Sequence, residues 1–237
     1  MLDHQEIEWQ FEAAQLAPVE SWLKEHPSTS GLTTVPGATK ELTDTYYDTE
    51  DWRLYRAGYA LGVRRDSKGT EATMKSLAPA EDALRRRHEI SEPLKRGTDA
   101  PKRTRGPVGE LLRRLAGDRD LRPHLEVRTR RRSFMLFPER PSESDAAVGE
   151  VALDGSEISG PGGARTRLSR VEVEIHSDGE LPDAVEELVG ELRNALGLRP
   201  AGTSKFEAGL TADLHLRGAP DLGPEEKSER SNKKDGR

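Results

Sequence analysis

Glu6-Ile7-Glu8-Trp9-Gln10-Phe11 alternates polar even positions with apolar odd positions over six residues, the period-2 signature of a strand with one buried face. The same alternation returns in Leu61-Gly62-Val63-Arg64, Thr73-Met74-Lys75, Arg87-His88-Glu89-Ile90, Glu150-Val151-Ala152-Leu153-Asp154 and Val171-Glu172-Val173-Glu174-Ile175. These strands share one design, and the sign of the charges on their polar face sets them apart. Glu6 and Glu8, and again Glu172 and Glu174, are carboxylates two residues apart. Side chains at that spacing share a face and repel, a cost that a merely solvated surface has no reason to accept. A basic strand answers them. Alternation groups Arg128, Arg130 and Arg132 on one face and leaves Arg131 on the other, and the register decides which face turns inward.

Around the strands, Ala17 to His26 reads as a short helix closed by Pro27, Pro107 to Ala116 as a helix begun by proline, and Asp183 to Leu196 as the longest. In the last, Val185, Leu188, Val189, Leu192 and Leu196 form one apolar stripe that reads as core packing. Segment 28–40, rich in Ser, Thr, Gly and Pro, reads as a loop, and 138–148 and 155–168 as hairpin loops. Residues 1–212 are expected to form the folded domain and 213–237, with almost no hydrophobes, a disordered tail.

Composition narrows the chemistry. The 237 residues include 37 Lys plus Arg and 43 Asp plus Glu, a net charge of −6, and 34% are charged where roughly 25% is usual. The two signs nearly cancel and the apolar residues recur in order, so the chain reads as folded. With no Cys, disulfides, zinc–thiolate sites and thiol nucleophiles are excluded. Six His lack a paired spacing, so a metal would sit on carboxylates. No stretch approaches the roughly 18 apolar residues of a membrane span. MLDHQEIEWQ lacks the apolar core of a secretory signal, so no membrane association and a cytoplasmic location are expected. The mild net acidity argues against a specific nucleic-acid partner. P-loop, dinucleotide and Ser-elbow motifs are absent.

Taken in order, these segments resemble the CYTH domain, or triphosphate tunnel metalloenzymes. Glu6-Ile7-Glu8-Trp9-Gln10 is similar to the family's E-x-E-x-K signature, Tyr46-Tyr47-Asp48-Thr49 to its YFDT segment, and Gly58 to Arg64 to its G-x-x-L-R-x-R strand. Thr73-Met74-Lys75 matches T-x-K and Arg87-His88-Glu89 matches R-x-E. Arg128 to Arg132 matches the basic strand, Glu150 to Asp154 E-x-A-L-D, Glu172-Val173-Glu174 E-x-E, and Ser204-Lys205 the final S-K. The resemblance implies a mainly β (α+β) fold, an eight-stranded antiparallel β-barrel tunnel with flanking helices. Apolar positions would face outward and charged ones inward, which resolves the repulsion: clustered carboxylates suit a divalent cation and clustered Arg and Lys a polyphosphate.

What the family implies is a metal-dependent triphosphatase acting on inorganic tripolyphosphate or another triphosphate-containing small molecule. Mg²⁺ or Mn²⁺ would be held by Glu6, Glu8, Glu172 and Glu174, with Asp154 a further ligand or an orienter of the attacking water. Arg64, Lys75, Arg87, Arg128, Arg130, Arg132 and Lys205 would grip phosphate oxygens, and Glu89 would orient a neighbouring cation. Of the run Arg85 to Arg87, Arg87 alone follows the motif, and the rest reads as a surface turn. Two positions depart from the family: Gln10 stands where the signature has Lys, and Gly62 where the strand has Arg. Each loss removes a charge-assisted phosphate contact worth about 1.5–3 kcal/mol. A weakened tunnel that binds polyphosphate or a nucleotide is therefore the alternative, with adenylate cyclase a third, lower-ranked reading. The oligomeric state is left open, a homodimer included.

Overall fold

In the computed structural model, which describes residues 2–95, 104–140, 145–160, 163, 165–176 and 182–217, the alternating segments are parts of long antiparallel strands. In chain order the elements are β1 (Leu2–Glu12), α1 (Ala17–Glu25), β2 (Ser28–Thr29), β3 (Leu32–Thr49), α2 (Arg53–Arg56), β4 (Tyr59–Arg65), β5 (Thr70–Ser76) and β6 (Leu84–Leu94). They continue as α3 (Pro107–Ala116), β7 (Leu121–Pro138), β8 (Gly149–Ser159), β9 (Arg165–Ile175), α4 (Asp183–Leu196), β10 (Arg199–Pro200) and α5 (Lys205–Arg217). The sheet runs β1-β6-β5-β4-β3-β7-β8-β9, and β9 pairs back onto β1. Closure gives a barrel of eight antiparallel strands with a few flanking helices, and β2 and β10 are short additions on β3 and β1. No described helix is long and apolar enough to cross a membrane.

Alternation sorts each strand into a wet inner and a dry outer face. Outward Ile7, Trp9, Phe11, Val151, Leu153, Val171 and Val173 pack under Val19 and Leu23 of α1 and Val185, Leu188, Val189 and Leu192 of α4. Burying one such side chain contributes roughly 1.5–3 kcal/mol, so the apolar stripe of α4 is a structural anchor. Across the barrel, outward Leu61, Val63, Ala72, Met74 and Ile90 pack under Leu54 of α2 and Val108, Leu111 and Leu112 of α3. A third cluster lies on the inner side at one end, where Ala60, Leu125, Val127 and Ile158 meet Phe206 and Leu210 of α5.

Three sequence expectations change. Most of segment 28–40 is strand: β3 pairs with β7 from Leu32 to Thr49, with irregularities between Pro36 and Thr39 and between Tyr46 and Tyr47. Its Ser, Thr, Gly and Pro content reflects exposure, since residues 35–39 are all exposed, so no apolar period was there to read. The 155–168 hairpin loop is shorter, because β8 and β9 stay paired out to Ser159 and Arg165. The helix α5 runs to Arg217, past the expected boundary at 212, while the rest of the tail, 218–237, lies outside the described residues. Residues 141–144 of the 138–148 loop also lie outside them.

Candidate active site in the barrel interior

A cavity of ≈ 170 Å³ inside the barrel is lined by side chains from seven of the strands and by the start of α5. Glu6 and Glu8 on β1 face it with Gln10, and Asp44, Arg64, Glu71, Lys75, Arg87, Glu89, Arg131, Glu172, Glu174 and Lys205 complete its charged wall. The charges form two clusters. In the first, Lys75 Nζ donates to Glu6 Oε1 at 2.6 Å and lies 2.7 Å from Glu89 Oε2. Arg87 Nε donates to Glu6 Oε2 at 3.1 Å, and its Nη2 donates to Glu8. In the second, Arg131 holds Asp154 with two bonds of 2.8 and 2.7 Å and Glu172 with one of 2.7 Å. Lys205 Nζ donates to the same two carboxylates at 2.5 and 2.7 Å. Gln10 Nε2 joins the clusters, at 2.8 Å from Glu8 and 3.5 Å from Glu172.

Local structure explains each placement. Glu8 and Glu174 are register partners on β1 and β9, and Glu150 of β8 faces Glu174 in turn. Lys205 stands at the start of α5, where Ser204 Oγ accepts from Glu207 N at 3.2 Å and Glu207 Oε2 accepts from Ser204 N at 2.7 Å. That is a capping box, and Ser204-Lys205-Phe206-Glu207 spells it in the sequence. Arg64 is held by Asp44, its register partner on β3, at 2.7 and 3.2 Å.

The basic strand turns the other way from the expectation. Arg128, Arg130 and Arg132 point outward, 71%, 63% and 42% exposed, with Glu126, Glu41 and Glu20 beside them, whereas Arg131 points inward. Even-numbered Phe134 and Leu136 pack in the outer core, and the ladder to β8 is unbroken from Glu126 to Leu136. Parity therefore sends Arg128, Arg130 and Arg132 outward too. Odd-numbered Leu125 and Val127 are apolar as well, because α5 covers them inside the barrel, so alternation alone does not tell the two faces of β7 apart. Arg85 is a second correction: it is 2% exposed, not part of a surface turn. Asp154 is fully buried behind Arg131 and Lys205, both of its oxygens engaged.

Electrostatics differ between the clusters. Burial works against the charged form of Glu6, but the Lys75 and Arg87 charges outweigh it and hold its pKa below the usual value. For Glu8, burial and then the Glu6 charge prevail over Arg87 and push its pKa up to about 7. Burial, again reinforced by Glu6, pushes Glu174 up to about 7 as well. Glu172 is equally buried, yet Lys205 and Arg131 hold it far below the carboxylate range. Glu8 and Glu174 are thus neighbouring hard oxygen donors that lack enough positive charge, and this donor chemistry suits a divalent cation. The carboxylates here are turned toward Lys and Arg, and no three His, Asp or Glu among the described residues converge on a point that could hold a metal ion.

The two departures from the family pattern are both in the wall. Gln10 keeps an amide where a Lys would stand. Gly62 lies opposite Tyr46 on β3, and a Cβ there would meet the Tyr46 ring at 3.5 Å. Tyr46 in turn packs on Phe206 with ring centroids 5.1 Å apart, so this part of the wall is aromatic.

The family model for the CYTH domain matches residues 5–209. A Bacillus halodurans protein described as a candidate adenylate cyclase has a similar structure, with TM-score 0.59 at 19% identity, covering 88% of this chain and 98% of that one. A Hippeastrum protein, described as a candidate adenylyl cyclase with a dominant triphosphatase activity, gives 0.58 at 16% identity over 87% and 95%. A Pyrococcus horikoshii protein gives 0.51 at 21% over 86% and 98%. At these identities the likeness is one of fold. Comparison with curated proteins finds no match by sequence.

Proposed function

The chain belongs to the CYTH domain family, and from that premise we propose that it is a divalent-metal-dependent triphosphatase, releasing the terminal phosphate of inorganic tripolyphosphate or of an organic triphosphate. The observation that carries the reading is the pairing inside the cavity: Lys75, Arg87, Arg131 and Lys205 are each clasped by carboxylates, mainly Glu6, Glu8, Glu172 and Asp154. Without a ligand the two signs neutralise one another. A triphosphate and a cation carry the complementary charges and can exchange into both halves of that network. The related Hippeastrum protein, described by its triphosphatase activity, supports the same reaction class.

Glu6, Glu8, Glu172 and Glu174 would hold Mg²⁺ or Mn²⁺, which supplies charge neutralisation on the phosphate oxygens and acidifies bound water. Lys75, Arg87, Arg131 and Lys205, with Arg64 at the wall, bind the phosphate oxygens and stabilise the charge that develops on them. Glu89 orients Lys75. Asp154, its oxygens already taken, orients Arg131 and Lys205 and is not assigned to the metal. In this reading Arg128, Arg130 and Arg132 have no part in substrate binding.

The second reading, a tunnel that binds its ligand without efficient turnover, is favoured by Gln10 and Gly62. Phosphate release from tripolyphosphate with Mg²⁺ or Mn²⁺ decides between them. Release that Glu6→Ala reduces by at least about 10²-fold supports the enzyme. Tight binding without release supports the second reading, and cyclic AMP formed from ATP would move the protein to the cyclase class.

A further inference from the structure

Two buried guanidinium groups take no part in the network described so far. Arg85 on β6 and Arg170 on β9 are each 2% exposed, and neither is among the residues that line the cavity. Both sit on inward-facing positions beside β1, Arg85 opposite Glu8 and Arg170 opposite Glu12. Gln10 lies between Glu8 and Glu12 on that same face of β1. Every other Arg or Lys in the two clusters holds a carboxylate at hydrogen-bonding distance. Among the described residues these two do not: Glu207 lies 3.8 Å from Arg85, and Glu12 lies 3.8 Å from Arg170. Arg85 reaches only backbone, donating to Ala78 O at 3.4 Å and Ala201 O at 3.3 Å. Three buried donors, Arg85 Nε and Arg170 Nε and Nη1, have no hydrogen-bond partner among the described residues.

A guanidinium stays charged at any physiological pH. Each of the two has a carboxylate at 3.8 Å, yet the buried donors that remain unpaired are unfavourable and an oxyanion would complete them. Burial lowers the pKa of both, prevailing over the Glu207 carboxylate at Arg85 and the Glu12 carboxylate at Arg170, and at Arg85 the Arg87 charge and, less strongly, the Arg170 charge act in the same direction as burial. The planar fork of Arg fits the oxygens of a tetrahedral oxyanion with paired bonds, which a halide cannot match. The turn that follows β10 covers the place, since Ala201 N donates to Gln10 O at 2.8 Å while Ala201 O accepts from Arg85. A neutral side chain at position 10 is consistent with this arrangement, because a Lys there would add a third cation beside the pair.

We infer that Arg85 and Arg170 form a second anion site, at the Gln10 end of β1 and separate from the Lys75–Arg131 cavity wall, which takes one phosphate oxyanion. The oxyanion is either free orthophosphate or the terminal group of a chain longer than a triphosphate. The inference rests on the triphosphatase reading only for the choice of phosphate among oxyanions.

Calorimetric titration of the full chain with orthophosphate, free of divalent metal and at constant chloride, tests it. Wild type should bind one phosphate saturably. Lys75→Met, which alters the main cavity, should keep that binding within about twofold. Arg85→Met and Arg170→Met should weaken it by about tenfold or more. Should either Met variant fail to fold, Arg170→Lys keeps the charge without the fork and should weaken binding in the same direction. Absence of saturable binding in wild type, or binding lost in Lys75→Met and retained in the Arg170 variants, overturns the site. Titration with tripolyphosphate and tetrapolyphosphate separates the two sources. A tighter fit of the longer chain that disappears in Arg170→Met assigns a terminal phosphoryl group, and an unchanged ratio assigns free phosphate. Phosphate release from tripolyphosphate, measured on the same samples, reports separately on the triphosphatase reading: its absence sinks that reading and leaves the anion site standing.

Discussion

The two halves of the cavity wall use the same residue types in different balance. On the β7–β8–β9 side, Asp154 and Glu172 face Arg131 and Lys205, two acids to two bases, and every carboxylate oxygen has a cation. On the β1–β5–β6 side, Glu6, Glu8 and Glu89 share Lys75 and Arg87, three acids to two bases, and Glu174 leans on the same seam from β9. The consequence is opposite titration: Glu172 is held far below the carboxylate range while Glu8 and Glu174 rise to about 7. Burial is nearly the same on both sides, so the supply of neighbouring cations decides. The balanced half is built to stay intact, and the acid-rich half is where an added cation has most to gain.

The hardest test of that difference is to remove a carboxylate from each side. Glu172→Ala strands Arg131 and Lys205 on Asp154 alone and should cost about 3–5 kcal/mol in urea unfolding, with phosphate release lost. Glu8→Gln should cost no more than about 1 kcal/mol, because the side chain is half protonated near pH 7 already; equal costs would break the comparison. Next in size, Arg131→Met should lose about 2–4 kcal/mol and phosphate release by about 10²-fold. Arg130→Met, one residue away on the outer face, should stay within about 0.5 kcal/mol and keep its activity.

The pH dependence follows from the directions of the shifts. A carboxyl whose folded pKa is raised from 4.5 to about 7 stabilises the fold below pH 4.5 relative to higher pH, and that contribution fades as pH climbs through 7. Glu6 and Glu172 work in reverse: their lowered values give stability above pH 4.5 that is lost on acidification. Between pH 5 and 8, urea midpoints of wild type should therefore decline from the Glu8 and Glu174 contribution. Glu8→Gln should flatten that decline, with an effect of about 1–3 kcal/mol, and a variant that declines as steeply as wild type would refute the assignment. Among changes to the cavity wall, the smallest effect is expected from Gln10→Lys. A cation beside Glu8 and Glu172 should draw the titration near pH 7 downward and lower the KM for tripolyphosphate by up to about tenfold.

Most of the fold was legible because one wet and one dry face leave a period-2 trace, and the paired carboxylates at Glu6/Glu8 and Glu172/Glu174 marked which face was unusual. Lys75, Arg87 and Glu89 followed from the same parity and do meet at the cavity. Arg131 was misplaced because β7 is apolar on both faces at different heights, Leu125 and Val127 inside against α5 and Phe134 and Leu136 outside against the outer core. Alternation gives two faces and no sign, so a strand with apolar residues on each cannot name its inner one. The capping box at Ser204 was available as the start of α5. Arg170 carried no signal, since one Arg in an alternating strand looks like any solvated position.

Strand identity and the clustering of like charges follow from neighbours two to four positions apart, the absence of thiol chemistry from a composition without Cys, and the family resemblance from the order of short motifs along the chain. Tertiary structure decided which face of β7 looks inward, how three carboxylates come to share two cations, and that Arg85 and Arg170 are buried with hydrogen-bond donors left unpaired among the described residues. Those facts depend on register between strands far apart in sequence: β1 with β9, β7 with β8, and α5 against the inside of the barrel. Charge balance is a property of the closed barrel. A single strand has a sign, and only the circle of eight strands determines whether that sign is answered.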